Sequence, residues 1–391
     1  MNFIKPGVYQ KHQSFNDIRK VHGELISKAA ERAIKILGEW ERGERVLKHE
    51  VTSNSNFSTV LKSALLDLLD SSLPEPKFKL TQFIAEEMAT YNDDELLRFL
   101  YHRYRYDVFP QRYLLDQYPP YLQIEPSSLC NYRCVFCYQT DQDFFKKSSD
   151  RMGFMSFENF QNVVDSAHGK IEFLSLASRG EPMMCKDIEK MLRYASGKFL
   201  NLKLNTNASL LTEKNIHAIL SGGVKTVVFS ADAAEEPLYS QLRVNGKLER
   251  VLKCIDLFHT IRTREYSSLK IITRVSGVRI SDEQNLQSME KVWGNLVDQI
   301  AFVQYNPWEN IYQSEPNNIG TPCSDLWRRM FVWFDGKVNP CDTDYKSTLE
   351  VGNLNEGLSS VWLSEKYQSL RNAHLNKARQ VVEPCRRCSV V

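Results

Sequence analysis

The chain predicts an α/β fold with a helical N-terminal domain, a partial (β/α)6 TIM-like barrel and a small C-terminal hairpin-and-helix module. Three observations predict it. Apolar residues recur at helical spacing through much of residues 1–115, strand-like and helix-like segments alternate from about residue 120 to 305, and a strand, an Asp335-Gly336 turn and a second strand follow residue 320.

The N-terminal stretch FNDIRKVHGELISKAAERAIKILGEWERGERVL (15–47) and the later DDELLRFLYHRYRY (93–106) both carry the helical pattern. Helix stops at YPPYLQIEPSSLC, where two prolines precede a strand. Strands are expected at 121–126, 171–176, 202–206, 225–230, 268–275 and 298–304, with helices such as SFENFQNVVDSA, LTEKNIHAILSGG and LERVLKCIDLFHTIR between them. Repeated βα units with right-handed crossovers give a parallel sheet that closes or nearly closes, with ligands at the C-terminal strand ends. The segment MFVWFDGKVNPC reads as a hairpin, followed by a helix near SSVWLSEKYQSLRNAH. The expected domains are 1–115, 116–315 and 316–391.

With 391 residues, 42% hydrophobic, 25% charged and a net charge of +2, the composition is that of a globular protein without a large nucleic-acid footprint. The run RYRYDVFPQRY reads as a solvated helix face. No run of eighteen apolar residues occurs, and the N-terminus lacks the apolar core of a signal peptide. A cytoplasmic protein with neither a membrane nor a nucleic-acid partner is expected.

Seven of the nine cysteines are clustered, which in a reducing compartment points to metal or redox chemistry. Cys185 and Cys254 stand alone and read as packed thiols. Cys130, Cys134 and Cys137, spaced C-x3-C-x2-C, follow the first barrel strand directly. Three thiolates suit a [4Fe-4S] cluster whose fourth iron stays open, whereas zinc would want a fourth ligand nearby, and the next histidine is His168. Cys323, Cys341, Cys385 and Cys388 form a second set, with Gly336 ahead of Cys341. Four thiolates close a site completely, around either zinc or an iron-sulfur cluster.

From residue 120 onward the sequence resembles the radical S-adenosylmethionine (radical SAM) superfamily, whose signature C-x3-C-x-aromatic-C is met with Phe136 in the aromatic place. The resemblance implies that S-adenosylmethionine (SAM) fills the open iron position through its amino and carboxylate groups. SRGEP (Ser178 to Pro182) is similar to the family's GGEP element, with Arg179 in place of a glycine while Gly180 and Glu181 are kept; Glu181 would meet the methionyl amino group. LNTNASLLT, with Asn205 and Asn207, is similar to the TNG-type element, Ala208 standing where glycine is usual. VVFSADAAEEPLYSQLRVNGKLERVL resembles the S-x-D…R segment, in which Ser230, Asp232 and Arg243 would lie on the carboxylate and ribose side of SAM. The C-terminal cysteines resemble SPASM/twitch extensions, and four of them imply one auxiliary [4Fe-4S] cluster of the shorter twitch type.

The resemblance further implies an external one-electron reductant such as flavodoxin or ferredoxin and a radical oxidoreductase. The cysteine spacing is closest to twitch-type dehydrogenases of aminocyclitols and sugars. Oxidation of a hydroxyl-bearing carbon of a carbohydrate-like small molecule, with the auxiliary cluster as electron acceptor, is therefore expected. Sugar epimerisation, peptide maturation and a non-enzymatic iron-sulfur or zinc interaction protein are the alternatives. Helices in place of a winged-helix leader-binding module argue against a peptide, and these helices are open to binding a partner or roofing the active site. Arg274, placed at the end of the fifth strand, and Tyr305, Asn306, Trp308 and Glu309 after the sixth are candidates for substrate contact, with Arg274 and Glu309 as candidate proton acceptors. His374, Trp327, Trp333 and Trp362 are expected to pack around the auxiliary cluster.

Overall fold

The computed structural model describes residues 8, 16–17, 22–45, 56–70, 72–146 and 150–391. Its strands are β1 (Asn16–Asp17), β2 (Tyr121–Ile124), β3 (Arg133–Cys134), β4 (Phe173–Leu176), β5 (Asn201–Thr206), β6 (Val224–Ser230), β7 (Arg243–Val244), β8 (Ile272–Arg279), β9 (Gln299–Gln304), β10 (Arg329–Val332), β11 (Lys337–Asn339) and β12 (Gly352–Asn353). All except β3 and β7 share one sheet, in the order β1-β9-β8-β6-β5-β4-β2-β10-β11-β12. Within it β2, β4, β5, β6, β8 and β9 run parallel, giving the six-stranded partial barrel.

The N-terminal helices are α1 (Gly23–Glu41), α2 (Phe57–Leu69), α3 (Gln82–Met88), α4 (Asp93–Asp107) and α5 (Phe109–Arg112). They are followed by α6 (Phe157–Ala167), α7 (Ile188–Ala195), α8 (Glu213–Ser221), α9 (Leu238–Leu242), α10 (Leu248–Glu265) and α11 (Leu286–Trp293) among the barrel strands. Side-chain caps start three of these: Ser156 accepts from the Asn159 amide at α6, Thr212 from Asn215 at α8, and Asn285 from Gln287 and Ser288 at α11. Alternate strand residues Leu122, Ile124, Leu174, Leu176, Leu202 and Leu204 are buried in one core with apolar residues of these helices. Their neighbours in sequence point to the barrel interior, because the strand period is two.

The helix expected from residue 15 begins at Gly23, and residues 15, 18–21 and 46–47 lie outside the described residues. Asn16 and Asp17 pair instead with Phe302 and Ala301 on β9, the otherwise unpaired edge of the barrel. The N-terminal helices do not roof the strand C-termini. They close the opposite end: Tyr121, Phe173 and Leu200, at strand starts, belong to the core of α1–α5. His102 stacks on Phe173 at 3.4 Å, and Arg98 pairs with Glu172 at 2.5 Å. Asn201 donates to Glu87 and to the Tyr91 hydroxyl, both at 3.0 Å.

The C-terminal hairpin extends the barrel's own sheet, with β10 parallel to β2 and antiparallel to β11. Gly336 makes the turn at φ 86°, a left-handed conformation suited to glycine. Helices α12 (Leu358–Trp362) and α13 (Glu365–Leu375) follow. Among the described residues, no helix is long and apolar enough to cross a membrane.

Candidate active site with two cysteine centres

Strand β2 ends at the barrel mouth and hands the chain to Cys130, and the loop is fixed by a two-residue ladder in which β3 pairs with β7. Burial raises the Cys130 thiol to about 12 and also raises Cys134 and Cys137, with nearby thiolates adding to the rise at Cys130 and Cys137. Such thiols stay protonated until a metal displaces the protons. Close approach explains Gly180: a Cβ there would stand 2.4 Å from the carbonyl oxygens of Ser127 and Leu129, just before Cys130.

Glu181 is fully enclosed. Its Oε1 accepts from the Met183 amide at 3.0 Å and the Thr206 hydroxyl at 2.7 Å, and its Oε2 accepts from the Asn207 amide at 2.7 Å. A carboxylate has about four acceptor positions, so one is left for an ammonium. Burial raises the carboxyl pKa, partly offset by these donors. Asn207 also donates to Asn131 at 2.9 Å and accepts from the Ser209 hydroxyl. Ala208 holds φ 63°, so the backbone keeps a left-handed turn without a glycine. Asn205 points into the barrel with no hydrogen-bond partner for its Oδ1 among the described residues, and Ser230 ends β6 opposite Ser276.

Arg243 lies against the cysteine loop, its Nη1 3.9 Å from the Cys134 sulfur and its guanidinium 5.9 Å from the Phe136 ring centre. Asp232 holds Arg243 in place: its Oδ2 pairs with Arg243 Nε at 2.5 Å and its Oδ1 accepts from the Val278 amide at 2.7 Å. The donor set therefore fits a cluster with a charged amino-acid ligand: three thiols, one acceptor position on Glu181 and a guanidinium beside Cys134.

One expected site residue lies elsewhere, and so does the arginine that replaces the family's glycine. Arg274 is the third residue of β8, not the end of a strand, because β8 runs four residues beyond the expected boundary. It bonds Gln299 at 2.6 Å and covers Phe83 of α3 at 4.3 Å, so it belongs to the barrel floor and not to the mouth. Arg179 turns away from the cofactor side. It pairs with buried Glu125 at 2.6 Å and donates to the Tyr345 carbonyl at 3.0 Å, and its backbone amide is taken by Glu125 at 3.1 Å.

Glu309 follows β9 and lies in a cleft with Thr140, Asp141, Asp143, Lys146, Tyr312 and Tyr345. Its Oε1 accepts from the Tyr305 hydroxyl, its Oε2 is enclosed without a hydrogen-bond partner among the described residues, and burial raises its pKa. Asn306 accepts from Ser389 at 2.6 Å, tying the mouth to the C-terminus.

The second cysteine set lines one cavity: Cys323, Cys341, Cys385 and Cys388, with Leu326, Leu349, Leu370, His374, Arg379 and Val390 among the other walls. Burial raises Cys323 to about 12 and carries Cys341 and Cys385 well above the ordinary thiol range. Of the four side chains expected to surround this centre, only His374 reaches it. Trp327 packs on Tyr113, Trp333 on Arg179, and Trp362 donates to the Asp116 carbonyl at 3.1 Å. The sequence reading missed Arg379, which donates to the carbonyls of Cys385 and Cys388. An apolar cluster of Tyr138, Phe144, Ile311, Tyr345 and Val390 joins Cys137 on one side to Cys323 and Cys388 on the other.

A model of the radical SAM superfamily matches residues 124–284, and a model of the iron-sulfur cluster-binding domain SPASM matches residues 323–389. GTP 3',8-cyclase of Clostridium botulinum is 30% identical over 174 residues, 42% of this chain and 52% of that protein. AdoMet-dependent heme synthase of Methanosarcina barkeri is 24% identical over 221 residues, 55% of this chain and 58% of that protein. The chain thus spans little more than half the length of these curated relatives. Native anSMEcpe with bound AdoMet shares the fold, at TM-score 0.50 and 16% identity, over 69% of this chain and 88% of that one.

Proposed function

This chain belongs to the radical SAM superfamily and carries an SPASM iron-sulfur domain, and from that premise we propose that it is a dehydrogenase of a hydroxyl-bearing carbon in a sugar, cyclitol or related small metabolite. When bound, the SAM-ligating [4Fe-4S] cluster supplies a 5′-deoxyadenosyl radical by reductive cleavage of SAM, and a single auxiliary cluster supplies a place for the second electron. The observation that carries the reading is the cavity with four cysteines on its walls. Four thiolates leave a cubic cluster no free iron for substrate, so electron transfer is the role left to it.

The side chains support the rest. Glu181 holds the SAM ammonium, Arg243 faces its carboxylate, and Asp232 orients Arg243. Glu309, desolvated and carrying one free oxygen, takes the hydroxyl proton of the substrate at the mouth cleft. The polar walls of that cleft suit a hydroxylated substrate. The described residues before 115 form helices and one strand that joins the barrel's sheet, which offers a leader peptide no sheet of its own. An external one-electron donor, a flavodoxin or ferredoxin, supplies the first electron.

The test is anaerobic reconstitution with iron and sulfide, followed by SAM and dithionite with a panel of aminocyclitols, sugars and peptides, and trapping of carbonyl products with borodeuteride. About eight irons per chain and a trapped ketone on a cyclitol or sugar are expected. About four irons with one zinc, or a modified peptide with no ketone from any polyol, would overturn the reading.

A further inference from the structure

His374 lies near the end of α13 with its ring against the cavity of the four C-terminal cysteines. Its hydrogen-bonding is settled on one side: the backbone amide of Cys323 donates to Nδ1 at 3.1 Å. A neutral imidazole that accepts at Nδ1 carries its proton on Nε2. That Nε2 is fully enclosed and meets no acceptor among the described residues. A buried N–H without an acceptor is destabilising, so an acceptor from outside the protein chain is called for. Besides the four cysteines and apolar side chains the cavity wall carries Asp325 and Thr343, neither of which bonds the His374 Nε2, and Arg379, whose nitrogens already serve the carbonyls of Thr321, Cys385 and Cys388.

We propose that the Nε2–H of His374 donates a hydrogen bond to a sulfur of the auxiliary iron-sulfur cluster, an inorganic sulfide or a cysteine Sγ, and thereby raises its reduction potential. This rests on the reading of the four cysteines as cluster ligands and deepens it by naming the group that tunes the centre. The physical reason is that reduction adds negative charge which spreads onto the sulfurs, and a donor stabilises the reduced form more than the oxidised one. Arg379 places a positive charge beside the same centre and acts in the same direction. The consequence is an auxiliary centre poised to accept an electron from a substrate radical.

The test uses the full-length protein, reconstituted anaerobically, as wild type and as His374→Leu and His374→Gln. Metal and sulfide are counted first, and the two centres are then followed by redox titration with electron paramagnetic resonance. Wild type is expected to show a solvent-exchangeable proton strongly coupled to the reduced auxiliary cluster, lost on His374→Leu together with a shift of that cluster's midpoint to more negative potential. His374→Gln, which keeps an acceptor and a donor, is expected to restore part of the shift, and the midpoint of the SAM-ligating cluster is expected to stay in place in all three. An unchanged midpoint in His374→Leu with iron intact would overturn the proposal. If His374→Leu fails to hold its cluster, absence of the exchangeable proton in wild type overturns it equally. Zinc in place of the cluster would appear at the metal count and overturn the underlying reading as well.

Discussion

Cys134 and Arg243 are directly paired partners in the short β3–β7 ladder, and the Arg243 guanidinium reaches to 3.9 Å from the Cys134 sulfur. A cationic side chain is thereby held beside the cysteine centre by backbone pairing on one side and by buried Asp232 on the other. Arg243→Gln leaves the Asp232 carboxylate unpaired in the interior, a loss of about 3–5 kcal/mol. The double variant with Asp232→Asn is expected to recover part of that stability without recovering SAM binding. Denaturant midpoints and SAM affinity measured across the four-member cycle check both expectations, and simple additivity would show that the two residues are not coupled.

Arg179 stands where the family's GGEP element has glycine, so Arg179→Gly would bring the sequence nearer the family pattern. The expected result is nonetheless destabilisation by about 3–5 kcal/mol, because Glu125 is buried and Arg179 is its ion-pair partner. Thermal and urea unfolding of the two proteins decide it. A variant as stable as wild type would mean that the pair contributes nothing net.

Glu181→Gln is expected to keep its iron and weaken SAM binding by roughly ten- to a hundred-fold, the value of a charged hydrogen bond at about 1.5–3 kcal/mol. The sign with pH follows from the raised pKa: the carboxylate is lost on acidification at a higher pH than for an ordinary glutamate. SAM affinity of wild type should therefore fall early on the acid side, and this limb should vanish in the Gln variant. Titration calorimetry over a pH series reads it, and an identical pH profile in both proteins would remove Glu181 from the ammonium site.

Lys203 points into the barrel between Ser175 and Thr226, with no hydrogen bond or ion pair at its ammonium among the described residues. Burial, helped by Arg274 and Arg329 and opposed by Glu87, lowers its pKa from 10.5 to about 7. Below pH 7 the ammonium is charged in folded and unfolded chains alike, and only the folded chain carries the desolvation cost. Between about 7 and 10.5 the folded chain has already released the proton that the unfolded chain still binds, so stability rises with pH in that window. Lys203→Met should stabilise most at pH 6 and progressively less toward pH 10. Urea midpoints of the metal-free proteins check it; a gain independent of pH would place the lysine in contact with water.

The cysteine spacing, the βα alternation and the Asp335-Gly336 hairpin were legible because each depends on neighbours in sequence: ligand spacing along one loop, period-two burial, and a turn needing left-handed backbone. The boundary of β8 was not, and the error moved Arg274 from floor to mouth. Periodicity marks the existence of a strand better than its ends, which are set by pairing, here Arg274 with Val228 and Gln299. Glu125 carried no local signal at all, since its partner Arg179 comes from a different strand end.

What the sequence by itself determined is the chemistry on offer: three thiols with a vacancy, four thiols without one, and the acidic, amide and basic residues that follow successive strands. Tertiary structure alone decided where those groups stand. It put the N-terminal helices under the barrel, joined the C-terminal hairpin to β2 as part of the same sheet, and set Tyr138, Phe144 and Tyr345 between the two cysteine centres. Sequence patterns carry periods of a few residues, whereas these contacts form between segments far apart in the chain, where burial of apolar surface and pairing of buried charge choose the partner.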